Sequence, residues 1–279
     1  MTKNILQHLR IKEYGPGLEY LQELITAYCT IVPWESISKI VKKAMCKNPE
    51  DCLRLENEFW TQSFKYGTGG TCYESNWAFY KLLKSLGFDS YLTINKIVDK
   101  SSVHSAIVVT INKSKYIVDI GYPLYAPIPL VKYSIGCANH QLIKYRSGYI
   151  GSNEYLIENF PHPKPYLYHL TDIPVSESDY LNISIADYCE TGLFLDRIII
   201  RKIIDNTPTR FDSEDLPYNI HQLQNGTKTK NDLMDENLIG TLSDYFALNI
   251  DIIRKAFEVL QTTHNIGIAA SGAGRCTPL

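Results

Sequence analysis

The sequence lacks the features of membrane proteins and of nucleic-acid-binding proteins. It has no apolar run near the roughly 20 residues that span a bilayer, and its first residues lead into polar sequence rather than an apolar signal core. Basic charge is not in excess, with 28 basic against 30 acidic residues and a formal net charge of −2. We therefore expect a cytoplasmic protein with small-molecule partners, and neither nucleic acid nor a membrane among them.

The sequence also lacks paired cysteines. Its 7 cysteines are odd in number and scattered without a CxxC pair, at positions 29, 46, 52, 72, 137, 189 and 276. This pattern predicts neither a disulfide framework nor a zinc site, and free thiols fit a reducing compartment. We expect no metal cofactor.

What is present is enough apolar sequence, 44% of 279 residues, to build sizeable cores. The early part has helical periodicity, including residues 18–28 and 49–64, and the period then changes to that of strands. A β-rich stretch at 194–204, two closing helices and a small-residue tail at 271–276 follow. These patterns predict an α+β protein. Its predicted parts are a helical bundle at 1–87, a central antiparallel β-barrel at 88–192, and an α/β lid with its tail at 193–279.

One stretch, Gly69-Gly70-Thr71-Cys72, places a thiol where a helix is expected to begin. The glycine pair permits a tight turn with positive φ, Thr71 is the predicted N-cap, and apolar residues recur at helical spacing from Tyr73 to Leu86. The unpaired N–H groups of a helix N-terminus favour an anion, so they would stabilise a Cys72 thiolate. A single cysteine is more often a buried structural residue, so a nucleophile also requires a base elsewhere in the chain.

A predicted hairpin supplies the base and a carboxylate. His104 opens one strand and Asp119 closes the next, with Asn112-Lys113 as a two-residue turn. That turn places His104 and Asp119 on the same face as diagonal neighbours, whereas a turn longer by one residue would separate them. Each residue alone has a simpler structural explanation. Together, the order Cys, His, Asp favours a nucleophile with a base and an orienting group.

These segments resemble the arylamine N-acetyltransferase family, whose motifs run RGGxCxExN, then a histidine, then VDxGFG. The similar segments here are residues 69–76, His104 and residues 116–122, and residues 32–37 look like the family's IPFENL segment. The motifs lie in the first half of the chain, and the remainder is similar only in architecture. The resemblance implies the family fold, with a papain-like core of cysteine enzymes.

The resemblance also implies an activity and its catalytic residues, Cys72, His104 and Asp119. The implied reaction moves an acetyl group from acetyl-CoA to an arylamine, arylhydrazine or N-hydroxyarylamine by a ping-pong mechanism, as in xenobiotic metabolism. By similarity, the substrate pocket would be lined by Trp34, Val103, Gly121, Tyr122 and Phe194. Gly121 is the position where the backbone could approach CoA closely.

Two departures from the family pattern concern a buried polar cluster. The arginine before the glycine pair is Thr68 here, and the asparagine after the PFE segment is Ser38. Glu35 is therefore expected to lose its family partners, with Lys65 as a candidate substitute or with Glu35 exposed. Three alternative functions stay open: an amide synthase with another acyl donor, a transglutaminase-like cysteine enzyme, and a degenerate non-catalytic member.

Overall fold

The computed structural model describes residues 1–97, 103–161, 166–189, 192–224, 226–233 and 235–272. Most of the predicted tail, at residues 273–279, lies outside this range. Helices come first along the chain and return at its end. They are α1 (Thr2–Leu9), α2 (Leu18–Ile31), α3 (Ile37–Met45), α4 (Pro49–Cys52), α5 (Glu56–Tyr66), α6 (Cys72–Ser85), α7 (Glu177–Ala186), α8 (Leu238–Phe246) and α9 (Ile250–Gly272).

The strands form two antiparallel sheets. In chain order they are β1 (Trp34–Glu35), β2 (Asp89–Lys96), β3 (Val103–Ile111), β4 (Ser114–Val118), β5 (Ile128–Leu130), β6 (Ile135–Asn139), β7 (Lys144–Gly151), β8 (Glu154–Phe160), β9 (Tyr166–Thr171), β10 (Ile199–Ile204), β11 (Thr207–Asp212), β12 (Asn219–Gln224) and β13 (Thr227–Asp232). The larger sheet has the order β5-β4-β3-β2-β9-β8-β7-β6, and the smaller one has the order β1-β10-β11-β12-β13.

The larger sheet curls until its ends nearly meet. Ser147 Oγ on β7 donates a hydrogen bond to the carbonyl of Pro129 on β5 at 2.6 Å. Gly136 on β6 lies so close to the same carbonyl that a Cβ atom would stand 1.9 Å from it. Because these contacts join opposite ends of the strand order, the sheet is nearly closed into a barrel. The predicted fold class, α+β with a central antiparallel barrel, is confirmed.

Strand β3 is buried on both faces, which explains its nearly continuous apolar sequence. Ala106 and Val108 pack in the barrel interior, whereas Ile107 and Val109 pack with the helices, including α6. The strand therefore joins the barrel core to the helical core, and it places its first residues beside the start of α6.

The smaller sheet combines β1, from the early part of the chain, with β10–β13 from its last third. Strand β1 pairs with β10, so that Trp34 lies opposite Arg201. The core that this sheet shares with α3, α8 and α9 includes Ile37, Phe211, Leu242 and Ile253. The early part of the chain and the C-terminal part are therefore built into one sheet and one core. The domain boundaries at 87/88 and 192/193 stay predictions.

Two predicted elements are wrong in detail. The helix predicted over 49–64 is two helices, α4 and α5, because residues 53 and 55 have extended backbone and turn Arg54 inward, where it is fully buried. The β-rich stretch at 194–204 forms a strand only from Ile199, because Phe194 has a φ of 61°, which a strand excludes. Helix α7 was not predicted, although Ser176 Oγ accepts a hydrogen bond from the backbone of Asp179, as an N-cap does.

Candidate active site

Cys72 is the first residue of α6 and lies directly after the glycine pair. The pair is required by close packing, since neither glycine is among the positive-φ residues. A Cβ atom on Gly69 would stand 1.8 Å from the carbonyl of Pro33, and one on Gly70 would stand 2.9 Å from Arg54 and Glu74. The turn is therefore tight, as predicted. The glycines are required because the neighbouring chain is close, and not because the turn needs positive φ. Thr71 is at the N-cap position, but its side chain makes no capping hydrogen bond.

The hairpin of β3 and β4 has the predicted register. Ile111 lies opposite Ser114, and Asn112 and Lys113 have φ values of 50° and 68° in the intervening turn. This pattern is that of a type I′ turn, whose twist matches that of the flanking strands. The predicted register, which places His104 and Asp119 on one face, is confirmed.

His104 and Asp119 meet in the interior. His104 is 3% exposed and Asp119 is fully buried, and the ring Nε2 donates to Asp119 Oδ2 at 2.5 Å. The Cys72 side chain lies near the imidazole and helps to raise its pKa. Since Nε2 faces Asp119, Nδ1 is the ring nitrogen left for the thiol. The three side chains therefore form a chain from sulfur to imidazole to carboxylate.

The environment of His104 favours a protonated ring. Burial lowers its pKa, but the charge and hydrogen bond of Asp119 oppose that effect, and Cys72 also raises the pKa. The result raises the pKa of His104 to about 10. At neutral pH the ring is therefore an imidazolium, which is the partner that a thiolate requires.

Asp119 is held in place by donors on both of its oxygens. Oδ2 also accepts from the Tyr168 hydroxyl at 2.7 Å, and Oδ1 accepts from Asn76 Nδ2 at 3.0 Å and from the backbone of Tyr122 at 2.8 Å. Asn76 lies on α6, one helical turn after Cys72. It therefore ties the carboxylate to the helix that carries the thiol.

Gly121 packs against the first turn of α6. A Cβ atom there would stand 2.7 Å from Cys72 Cα and 2.6 Å from Asn76 Nδ2, so no other residue fits without displacing this helix. Its backbone N–H also donates to Asn76 Oδ1 at 3.3 Å. This contact with the protein itself accounts for the glycine.

The other residues predicted for the pocket lie at different places. Trp34 and Phe194 pack edge to face, with ring centroids 5.0 Å apart, and Tyr122 lies edge to face with the His104 ring at 6.0 Å. Val103 is 39% exposed at the start of β3, where its carbonyl accepts from the Tyr73 hydroxyl. The structure thus brings Trp34 and Phe194 together and Tyr122 beside His104, but leaves Val103 partly exposed at the start of β3.

Comparisons with known proteins give the family. A sequence model of the family described as N-acetyltransferase matches residues 17–256. The chain belongs to this family.

The solved structures that resemble this family member share its whole fold. The arylamine N-acetyltransferase from Mycobacterium abscessus superposes with a TM-score of 0.75 at 20% identity, covering 94% of this chain and 95% of that one. The Mycobacterium marinum arylamine N-acetyltransferase in complex with CoA gives a TM-score of 0.76 at 17% identity, covering 93% and 98% of the two chains. The resemblance noted in the sequence is therefore confirmed, and the fold is the papain-like fold of the family.

A curated relative is similar over part of its length. Proansamycin X synthase from Amycolatopsis mediterranei (strain S699) is 26% identical over 149 residues, which is 49% of this chain and 55% of that protein. The family member described here is thus similar in sequence to about half of a protein that is named as a synthase.

The polar cluster behind Cys72 of this N-acetyltransferase family member differs from both expectations. Glu35 is fully buried rather than exposed, and it keeps Ser38 as a partner, since Ser38 Oγ donates to its carboxylate at 2.5 Å. The cation comes from Arg54 rather than Lys65. Arg54 forms an ion pair with Glu74 at 2.5 Å and donates to the carbonyl of Gly69 at 3.0 Å.

The position of Arg54 has a consequence for Glu35. Burial raises the pKa of Glu35, and the charge of Arg54 and the hydrogen bonds from Ser38 only partly offset that effect. The cation near Glu35 is therefore Arg54, which lies earlier in the chain than Thr68. The sequence did not reveal this role of Arg54, because residues 53–55 have helical composition although their backbone is extended at Leu53 and Leu55.

The loop that carries Phe194 is fixed by a buried ion pair. Lys39 and Asp187 contact each other, Lys39 Nζ donates to the carbonyl of Leu193 at 2.7 Å, and the backbone N–H of Leu193 donates to Asp187 Oδ1 at 3.1 Å. Phe194 follows directly with its positive φ. The pair thus holds the backbone that turns the Phe194 ring towards Trp34.

The described residues contain neither a metal-binding cluster nor a membrane-spanning helix. No group of three or more His, Cys, Asp or Glu side chains there is arranged to hold a metal ion. No helix in the described part of the chain is long and apolar enough to cross a membrane. The cysteines that the structure describes are all free.

Proposed function

We propose that this chain is an acyltransferase that moves an acetyl group from acetyl-CoA to an arylamine, arylhydrazine or N-hydroxyarylamine through an acetyl-Cys72 intermediate. Membership of the N-acetyltransferase family supports acetyl transfer in general. The likeness to a structure solved with CoA supports a CoA thioester as the donor. The residues proposed to act are Cys72, His104 and Asp119, with Trp34, Tyr122 and Phe194 around the acceptor.

In the first half of the proposed reaction, the Cys72 thiolate attacks the thioester carbonyl of acetyl-CoA. A bond forms between the sulfur and the acetyl carbon, and the bond to the CoA sulfur breaks. The CoA thiolate takes the proton of the His104 imidazolium and leaves as the thiol, so that His104 becomes neutral. The first backbone N–H groups of α6 have no carbonyl partner within the helix. They are therefore suited to stabilise the oxyanion.

In the second half, the amine attacks the carbonyl of acetyl-Cys72. Neutral His104 takes the proton that the amine loses, and the Cys72 sulfur leaves as a thiolate. Asp119 then stabilises the imidazolium that has formed and keeps its ring in line. The pair of charged groups present at the start is thereby restored.

The single observation that supports this proposal most directly is the position of His104 between two partners. One ring nitrogen donates to a fully buried carboxylate at 2.5 Å, and Cys72 lies near enough to the same imidazole to raise its pKa. A structural histidine needs neither a cysteine at a helix N-terminus nor a carboxylate held by three further donors.

The similarity to a synthase favours one second candidate. An amide synthase would use the same nucleophile with a larger acyl group in place of acetyl, on a carrier other than free CoA. It would make an amide by the same two steps, so the acyl donor distinguishes the two candidates.

The test is intact mass spectrometry of the protein mixed with acetyl-CoA. We expect one acetyl adduct, its absence in Cys72→Ala, and its discharge when an arylamine or arylhydrazine is added. His104→Gln should lose about 10²- to 10⁴-fold in the rate of transfer. The matched control is Cys29→Ala, which removes another buried thiol.

The result decides between the candidates. No adduct from acetyl-CoA, together with an adduct from a larger acyl thioester, would favour the amide synthase. No adduct from any thioester, with all cysteines alkylated at the same slow rate by iodoacetamide, would favour the non-catalytic member.

A further inference from the structure

Two thiols contact the short connection between α3 and α4. Cys46 is the first residue after α3, where the backbone becomes extended, and Cys52 is the last residue of α4. Cys46 Sγ donates to the carbonyl of Asp51 at 3.1 Å, and Cys52 Sγ donates to the carbonyl of Asn48 at 3.4 Å. Because Asp51 is bonded directly to Cys52, the Cys46 sulfur lies against the peptide unit that leads into the second cysteine.

The residues between the two cysteines hold them in this arrangement. Pro49 is the first residue of α4, where its fixed φ suits a helix. Asn48 Nδ2 donates to Asp51 Oδ2 at 3.1 Å across the same turn. Cys46 lies near enough to Cys52 to contribute to the shift in its pKa. The fold therefore keeps the two thiols close together.

The two thiols differ in their access to solvent. Cys46 is partly exposed, whereas Cys52 is fully buried. Burial and the neighbouring Cys46 raise the pKa of Cys52 to about 11, although Lys43 and Lys42 partly offset the rise. Cys46 is therefore the thiol that a dissolved oxidant reaches first. An accessible thiol with a second thiol beside it is the arrangement of redox-sensing cysteines.

The pair has no other role in the structure that would explain two cysteines here. Among the described residues, the apolar cores include Cys29 and Cys72 but neither Cys46 nor Cys52. No step of the proposed reaction uses either of them. The pair therefore calls for a chemistry of its own.

We propose that Cys46 and Cys52 are a redox modification site that closes to an intramolecular disulfide with a disulfide oxidant such as oxidised glutathione. The Cys46 thiolate attacks one sulfur of the oxidant, a bond forms between them, and one glutathione leaves as a thiolate that takes up a proton. Cys52 then loses its proton and attacks Cys46 Sγ, which releases the second glutathione. Two protein thiols are oxidised, and one glutathione disulfide is reduced to two thiols.

The disulfide would lie two residues before Arg54. That arginine contacts Glu74 on α6 and the carbonyl of Gly69 in the turn before this helix. A cross-link over residues 46–52 restricts the unfolded chain and so favours the folded one. We therefore expect the oxidised protein to unfold at a higher urea concentration than the reduced protein.

The test is oxidation of the folded Cys72→Ala variant by oxidised glutathione, since this variant lacks the thiol proposed as the nucleophile. We expect an intact mass lower by two hydrogen atoms. Trypsin should then release one product in which residues 44–47 are joined to residues 48–54. Dithiothreitol should separate these two peptides and return the urea midpoint to that of the reduced protein.

Three further variants assign the order of the two steps. Cys52→Ser should stop at a mixed disulfide between Cys46 and glutathione, because the second thiol is missing. Cys46→Ser should form no internal disulfide and show no shift in the urea midpoint. The matched control is Cys137→Ser, which removes an exposed thiol elsewhere and should keep both the joined peptides and the shift.

Other products would overturn the assignment. These are mixed disulfides with glutathione and no joined peptides, or a disulfide between any other two cysteines. The joined peptides are read from the Cys72→Ala variant, so this result does not depend on how the serine variants fold. No acyl donor enters the experiment, and its outcome is therefore independent of the proposed function.

Discussion

At the scale of single residues, Asp119 raises the pKa of the His104 imidazole beside it. Its oxygens accept hydrogen bonds from His104, Tyr168, Asn76 and the backbone of Tyr122. A carboxylate with this many donors cannot rotate away. That fixed negative charge is what holds a proton on a buried histidine.

We predict that His104 makes the free energy of unfolding depend on pH. Its pKa is raised from 6.5 to about 10 in the folded protein. The stabilisation from its proton is therefore complete below about pH 6.5 and is lost as the pH rises through about 10. The measurement is urea unfolding across this range in a Cys72→Ala background, which removes the titration of the thiol.

The comparison for this prediction is Cys72→Ala with His104→Gln added. We expect the single variant to lose up to about 1.4 kcal/mol per pH unit more than the double variant over that range. Parallel curves for the two proteins would mean that the folded state does not hold the proton on His104.

At the scale of elements, Arg54 joins the connection between α4 and α5 to the start of α6. Its guanidinium contacts Glu74 on α6, the carbonyl of Gly69 in the turn before it, and Gln62 on α5. Since the turn and the helix together position Cys72, this one side chain supports the geometry around the proposed nucleophile.

We predict that Arg54→Met destabilises the protein by about 3–5 kcal/mol, because it leaves Glu74 buried without its cation. The matched control is Lys42→Met, which removes the partly exposed ion pair with Glu58 and should cost less than about 1 kcal/mol. Urea midpoints of the two variants give the comparison. Equal losses in the free energy of unfolding would show that the buried ion pair stabilises the protein no more than the partly exposed one.

The elements also show where sequence reasoning succeeds. The β3–β4 hairpin was predicted in the correct register, because a two-residue turn and period-2 alternation are local properties. The break between α4 and α5 at Arg54 was not predicted, because the helical composition on both sides of it continues through residues 53–55. Only the distant Glu74 and Gly69 make the extended conformation favourable there.

At the scale of the whole molecule, the smaller sheet joins the two ends of the chain. Strand β1 pairs with β10, and α3, which follows β1 directly, packs with the C-terminal helices. A change in the C-terminal core is therefore expected to reach the region around Trp34 and Cys72.

We predict that Leu242→Ala, at a fully buried position of α8, lowers the free energy of unfolding by about 2–5 kcal/mol. The loss should appear at the same urea concentration in tryptophan fluorescence and in the alkylation of buried Cys29, because one core joins the C-terminal helices to β1. Separate transitions for the two probes would contradict a single cooperative unit.

The sequence by itself determined the features that depend on neighbouring residues. These are the helix that begins at Cys72, the strand pair that carries His104 and Asp119, and the change from helices to a barrel. Local periodicity and turn chemistry are sufficient for each of them.

Only the tertiary structure decided which distant residues meet at the site. Tyr168 on Asp119, Arg54 behind the glycine pair and Arg201 over Trp34 come from separate elements, and no spacing in the chain predicts their contacts. The physical reason is that a buried charge or hydroxyl requires a partner, and the folded chain supplies that partner from wherever the sheets and helices bring one near.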